Sequence, residues 1–199
     1  IMGYSIAAVA KNKEQRDIMI TFLDKNFIKF SEIFDMKADY SSVPLKGEYL
    51  SYISNPELAN IEKYFDDDGE YIEEFEDEYR EFNTEYKTRC IGFDYGAVAG
   101  LEREFVYLMC KWIAIQLGNK NKDDNYFYNY DGSELYPIEQ TNTKELIDCV
   151  LTDDMIKMEI EEWKSMGNDM TMKKVGDILT HHMDLLDTGW KKFEKENIN

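Results

Sequence analysis

Gly96-Ala-Val-Ala-Gly-Leu-Glu-Arg-Glu-Phe-Val-Tyr-Leu-Met-Cys-Lys-Trp-Ile-Ala-Ile-Gln-Leu-Gly118 is the stretch whose reading decides the fold. Leu101, Phe105, Leu108, Trp112 and Ile115 recur at helical spacing, with Val98, Val106, Met109 and Ile113 beside them. A helix apolar around most of its circumference belongs at the centre of a core. Gly118 is placed to end it as a left-handed C-cap.

The chain before it reads as strand and helix in alternation. Tyr4 to Ala10 is small and apolar, the pattern of a strand covered on both faces. Asn12 and Gln15 are spaced to cap a helix reciprocally, and Ile18, Met19, Phe22 and Leu23 give that helix an apolar face. Residues 27–34 fit both periods imperfectly, with helix favoured for part of them. A loop at 39–44, a strand at 45–54 and a short helix at 57–64 come next, with Asn55-Pro56 as the breaker. Thr88 to Tyr95 reads as a strand ended by Gly96.

Beyond Gly118 a polar loop leads to two aromatic runs joined by Asp131-Gly132, a strong signal for a hairpin over 126–138. Pro137 puts its second strand at an edge. The remainder is helical: Thr143 to Leu151, a helix capped by Thr152, and a long helix from Thr171 to about Glu196. The middle helix carries Ile156, Ile160 and Trp163 on one face. The long one carries Val175, Ile178, Leu179, His182, Leu185, Leu186, Trp190 and Phe193, with Gly176 and Gly189 as points of weakness.

These elements predict an α+β fold, helix-dominant, with a small mixed sheet of about four to five strands. One globular domain over residues 2–199 is expected, with Ile1 set aside as a cloning remnant. Hydrophobic residues make up 43% and aromatics 14% of 199 residues, a globular composition.

Charge is the most unusual property. The formal net charge is -18, and Glu62 to Glu81 alone contains eleven acids and two bases. That stretch has a helical period. Asp67 can cap it, Tyr71, Phe75, Tyr79, Phe82 and Tyr86 form an aromatic face, and acids fill the rest. Like charges four residues apart cost a few tenths of a kcal/mol each, and burying the rings at roughly 2 kcal/mol each offsets that. The surface so formed would present Asp66, Asp67, Asp68, Glu70, Glu73, Glu74, Asp77, Glu78 and Glu81 to a partner.

Such a charge argues against direct contact with nucleic acid and with anionic membranes. No apolar run reaches membrane-spanning length, and no signal peptide is read at the start. Cys90, Cys110 and Cys149 are odd in number and widely spaced, which makes neither a disulfide framework nor a zinc pattern; a reducing cytoplasm is expected, with Cys110 in the core.

Catalytic signatures are absent from the sequence. Gly92, Gly96 and Gly100 are spaced four and four, with no Lys-Thr or Lys-Ser after them, so a phosphate loop is not specified. Asp66-Asp67-Asp68-Gly69-Glu70 fails the EF-hand order. His181 and His182 are adjacent and point in different directions on a helix. No cofactor and no metal are expected.

The functional expectation is a non-enzymatic acidic binder of a basic protein, a nucleic-acid-binding enzyme or a toxin. It would mimic nucleic acid or cap a basic active site. Small acidic inhibitors, immunity proteins and phage anti-defence proteins, anti-CRISPR proteins included, share this composition; no family motif is matched. The alternative is a small-ligand protein or enzyme with its site at the strand-to-helix turn, using Asp94, Tyr95 and Gly96 with Tyr126, Tyr128 and Tyr130 of the hairpin. A structural subunit with aromatic interfaces is the third possibility.

Overall fold

The computed structural model describes residues 4–10, 12–26, 33–34, 68, 72–73, 90–96, 100–117, 126–129 and 134–198. The expected loop at 39–44, the strand at 45–54, the helix at 57–64, the Gly118 cap and the Asp131-Gly132 turn lie outside them.

The expected α+β class is corrected. Helix dominates the described residues, in five helices: α1 (Lys13–Asn26), α2 (Gly100–Leu117), α3 (Thr143–Thr152), α4 (Asp154–Ser165) and α5 (Met172–Asn197). Among the described residues no mixed sheet organises the core. Among the described residues, paired extended backbone forms four short segments, β1 (Tyr4–Val9), β2 (Cys90–Gly96), β3 (Tyr126–Asn129) and β4 (Glu134–Pro137). They pair in the order β2-β1-β3-β4, always antiparallel. The physical reason is where the apolar volume lies. Among the largest fully buried side chains, Trp112, Phe22, Phe105, Met19 and Leu23 are helical, and the paired segments supply Ile6 and Ile91, with the small Ala8 beside them. Four-residue pairings such as β3 with β4 are too short to carry a core by themselves.

α2 is the hub. Ten of its residues are buried, among them Leu101, Phe105, Leu108, Trp112 and Cys110. α1, α3, α4 and β1 all touch it. Phe22 of α1 joins it to α5: its ring lies 6.3 Å from that of Trp112, 5.2 Å edge-on from Trp190 and 5.5 Å from Phe193. Edge-on and tilted rings at these distances are favourable beyond their burial.

Helix ends are set by side chains that satisfy orphan backbone groups. Asn142 accepts the Glu145 N–H at 3.0 Å, and the Glu145 carboxylate accepts the Thr141 N–H at 2.7 Å. Thr171 caps α5 through the Lys174 N–H at 3.1 Å. Thr152 is not the cap of α4: it is the last residue of α3, and its hydroxyl donates to the Asp148 carbonyl at 2.9 Å. Asp153 holds that role, accepting the Met155 N–H at 2.8 Å. Asn12 accepts the Gln15 N–H at 2.9 Å, but the buried Gln15 Oε1 makes no hydrogen bond, so the reciprocal half of that cap is not formed. Gly167, at φ +88°, turns the chain after α4, and the Asn168 N–H donates to the Trp163 carbonyl at 3.0 Å.

α5 runs unbroken through Gly176 and Gly189. Its buried face is Val175, Leu179, Met183, Leu186 and Trp190. Leu185, expected on that face, is 59% exposed, and Met183 takes the inward position.

Candidate functional site

Of the nine acids expected to form the partner surface, Asp68 and Glu73 are described. Both are exposed, Asp68 in a turn and Glu73 in a 3-10 turn. Ile72 between them belongs to no regular element, so the α-helix expected after Asp67 does not run through it. Asp66, Asp67, Glu70, Glu74, Asp77, Glu78 and Glu81 lie outside the described residues.

The alternative site resolves into backbone positions. Asp94 of β2 stands opposite Ser5, and Gly96 opposite Tyr4 across a register irregularity. Tyr95 lies between them in β2, while Tyr128 of β3 stands opposite Ala7 and Tyr126 opposite Pro137. β1 therefore separates Asp94 from Tyr128 by two strand spacings, about 10 Å across the sheet, and the pairings with Ser5 and Ala7 offset them further along it. Tyr130 lies outside the described residues.

The start of α2 holds a more specific arrangement. Gly100 opens that helix with φ +67°, a conformation that favours glycine. The next N–H, that of Leu101, donates to Glu159 Oε2 of α4 at 2.6 Å. A helix N-terminus attracts an anion through its unpaired N–H groups and its dipole. Here a carboxylate of the same chain takes that place. A Cβ at position 100 would collide with that carboxylate. Burial pushes the Glu159 carboxyl above the usual glutamate range, outweighing the Leu101 hydrogen bond; Glu162 and Glu102 push the same way. No local pattern announces this contact, because its partners stand 58 residues apart.

Two further surfaces stand out. A groove of about 530 Å³ runs between α3 and α5, floored by Ile147, Leu151 and Met172. Its rim carries Lys144 and Lys173, each in an ion pair on its own helix, with Asp148 and Asp177, both at 2.8 Å. The second surface is the outer face of α4 with its C-cap, where Met155, Met158 and the cap residue Met166 are exposed. The spacing of Ile156, Ile160 and Trp163 already places those methionines off the buried face.

His181 is exposed and His182 half-buried, their rings 5.1 Å apart. Burial, then the His181 neighbour, holds His182 below the usual histidine range. Among the described residues no three His, Cys, Asp or Glu side chains are grouped to hold a metal ion, and no helix is long and apolar enough to cross a membrane. Cys110 is a buried thiol and Cys149 an exposed one, and neither is in a disulfide. No family model, no curated protein and no solved structure matches this chain.

Proposed function

We propose that this chain is a non-enzymatic acidic binding protein of the cytoplasm that inhibits a basic, nucleic-acid-binding protein. The observation that carries the reading is the concentration of charge: half of the net -18 falls within residues 62–81. The charge pattern of the described helices supports it. Lys13, Lys144, Lys157, Lys164, Lys173 and Lys191 each pair with an acid on their own helix. Exposed pairs of this kind add little stability. Their effect is to consume the lysines locally and leave the surplus of acid as the outward field. Such a field speeds association with a basic surface and makes it salt-sensitive. The acids would compete with nucleic acid for a basic groove or cover a basic active site.

The test is capture from cell extract at low and at high salt. A basic partner that is retained at low salt and released at high salt is expected. Charge reversal of Glu73, Glu74, Asp77 and Glu78 should abolish capture; retention of the partner by that variant overturns the reading.

A further inference from the structure

α4 has two unlike faces. Ile156, Ile160 and Trp163 are buried against the core, whereas Met155 is 64% and Met158 65% exposed, and Met166, the C-cap that follows the helix, is 70% exposed. Scattered exposed apolar residues are ordinary on a protein surface. These three are not scattered. With Glu162 they stand at positions 155, 158, 162 and 166, the three- and four-residue spacing of one helical face. The stripe is about 16 Å long at the rise of an α-helix.

The charges around it are sorted. Lys157 and Lys164 fall about half a turn from Met155, away from the stripe. Glu162 lies inside the stripe, exposed, and takes no part in the ion pairs of α4 among the described residues. Asp154 and Glu161 border one side, engaged with Lys157 at 3.0 Å and Lys164 at 2.8 Å. Glu159 borders the other, at the N-terminus of α2. The face thus offers flexible, polarisable apolar side chains around the exposed Glu162 carboxylate, with the Asp154–Lys157 and Glu161–Lys164 pairs, open to exchange as exposed ion pairs are, along one border and Glu159 along the other.

We propose that this face docks a cationic amphipathic helix, with the methionines against its apolar side and the acids receiving its Lys or Arg side chains. The proposal rests on the reading of the chain as an acidic binder and adds the apolar anchor which charge alone does not supply. Charge complementarity selects the occupant. A second copy would bring another -18 to a face already framed by acids, and an anionic lipid surface would be repelled. A narrow stripe of helical length matches one helix, and methionine adapts to such partners without a fixed jigsaw.

The test titrates the full chain, carrying ¹³C-methyl methionine, with two synthetic peptides. Both have the same leucine face; one has lysines on its polar face, the other glutamates. The lysine peptide should shift the methyl signals of Met155, Met158 and Met166 and bind more weakly as salt rises. The triple variant Met155→Gln, Met158→Gln, Met166→Gln should bind it at least about tenfold more weakly, the loss of a small group of anchor residues, with an unchanged circular dichroism spectrum. Equal affinity of wild type and triple variant overturns the stripe, as does failure of the lysine peptide to bind. Equal binding of the glutamate peptide overturns the cationic occupant. So does a dimer in light scattering that the triple variant abolishes. The acidic-binder reading is decided separately, by extract capture and charge reversal at 73–78.

Discussion

The Glu159 carboxylate accepts the Leu101 N–H at 2.6 Å and so fastens α4 to the first turn of α2. Two opposed effects meet there. The helix N-terminus favours a negative charge. Burial disfavours it, and burial is the larger, since the carboxyl sits above the usual glutamate range.

That balance fixes the sign of the pH dependence. A carboxyl with a raised folded-state pKa binds its proton more tightly folded than unfolded. Its ionisation therefore costs stability at neutral pH, and that cost is relieved as pH falls through the raised value towards 4.5, the ordinary glutamate value. Glu159→Gln keeps an acceptor for Leu101 without a charge. Urea unfolding of both proteins should show wild type gaining on the Gln variant between neutral pH and about pH 4.5. Parallel stability curves would remove Glu159 as the titrating group. Glu159→Ala, which strands the Leu101 N–H, should cost about 1–2 kcal/mol at neutral pH.

Gly100 carries the other half of this junction. Gly100→Ala meets two penalties: a left-handed φ worth about 1–2 kcal/mol, and a Cβ pressed into the Glu159 carboxylate. The second disappears when that carboxylate is removed. A double-mutant cycle with Glu159→Ala should therefore be non-additive, the alanine at 100 costing less in the variant lacking Glu159. Strict additivity would mean that the carboxylate is not the neighbour that matters.

The two glycines of α5 separate a helix effect from a packing effect. A glycine in a helix interior costs about 0.8–1 kcal/mol relative to alanine. A Cβ at Gly189 would stand 3.6 Å from the Phe22 ring, an ordinary contact. Gly189→Ala is expected to stabilise by about 1 kcal/mol. At Gly176 the Cβ would stand 3.0 Å from Leu151 Cδ1, tight enough that the leucine must give. Gly176→Ala should gain less than Gly189→Ala in thermal or urea unfolding. The reverse order would contradict the close approach of α3 and α5.

Much of the helical scaffold is legible in the sequence, for a physical reason: large apolar residues at a period of 3.6 coincide with residues that can close helix ends. Thr171 and Gly167 bound elements whose buried faces are visible in the pattern. Thr152 misleads because it and Asp153 are both able caps at a one-residue joint, and only the turn of the Thr152 hydroxyl towards Asp148 decides between them. Leu185 misleads because 182, 185 and 186 fit one period as well as 183 and 186 do; packing selects Met183. Alternation in short aromatic stretches puts too much weight on a sheet, because local period says nothing about how much core an element carries. The Glu159 contact has no local signal at all. The acidic stretch of 62–81 is legible as charge, and of its residues only Asp68, Ile72 and Glu73 are described, with Ile72 in no regular element.

Phe22 gives the sharpest test of how the core is joined. It is 1% exposed, lies on α1, and its ring meets Trp112 of α2 and both Trp190 and Phe193 of α5. Removing it leaves a cavity where three helices converge, and the surrounding rings are too large and rigid to close it. Phe22→Ala should cost about 3–5 kcal/mol, the usual range for a buried phenylalanine. Phe22→Leu keeps much of the volume but loses the edge-on contact with Trp190, and should cost less than half as much. The expected readout is a large drop in urea midpoint for alanine and a small one for leucine, with a change in tryptophan fluorescence in both. Equal losses would mean that ring geometry, not filled volume, holds α1 to α2 and α5; no loss in either would mean that α1 does not bear on the core.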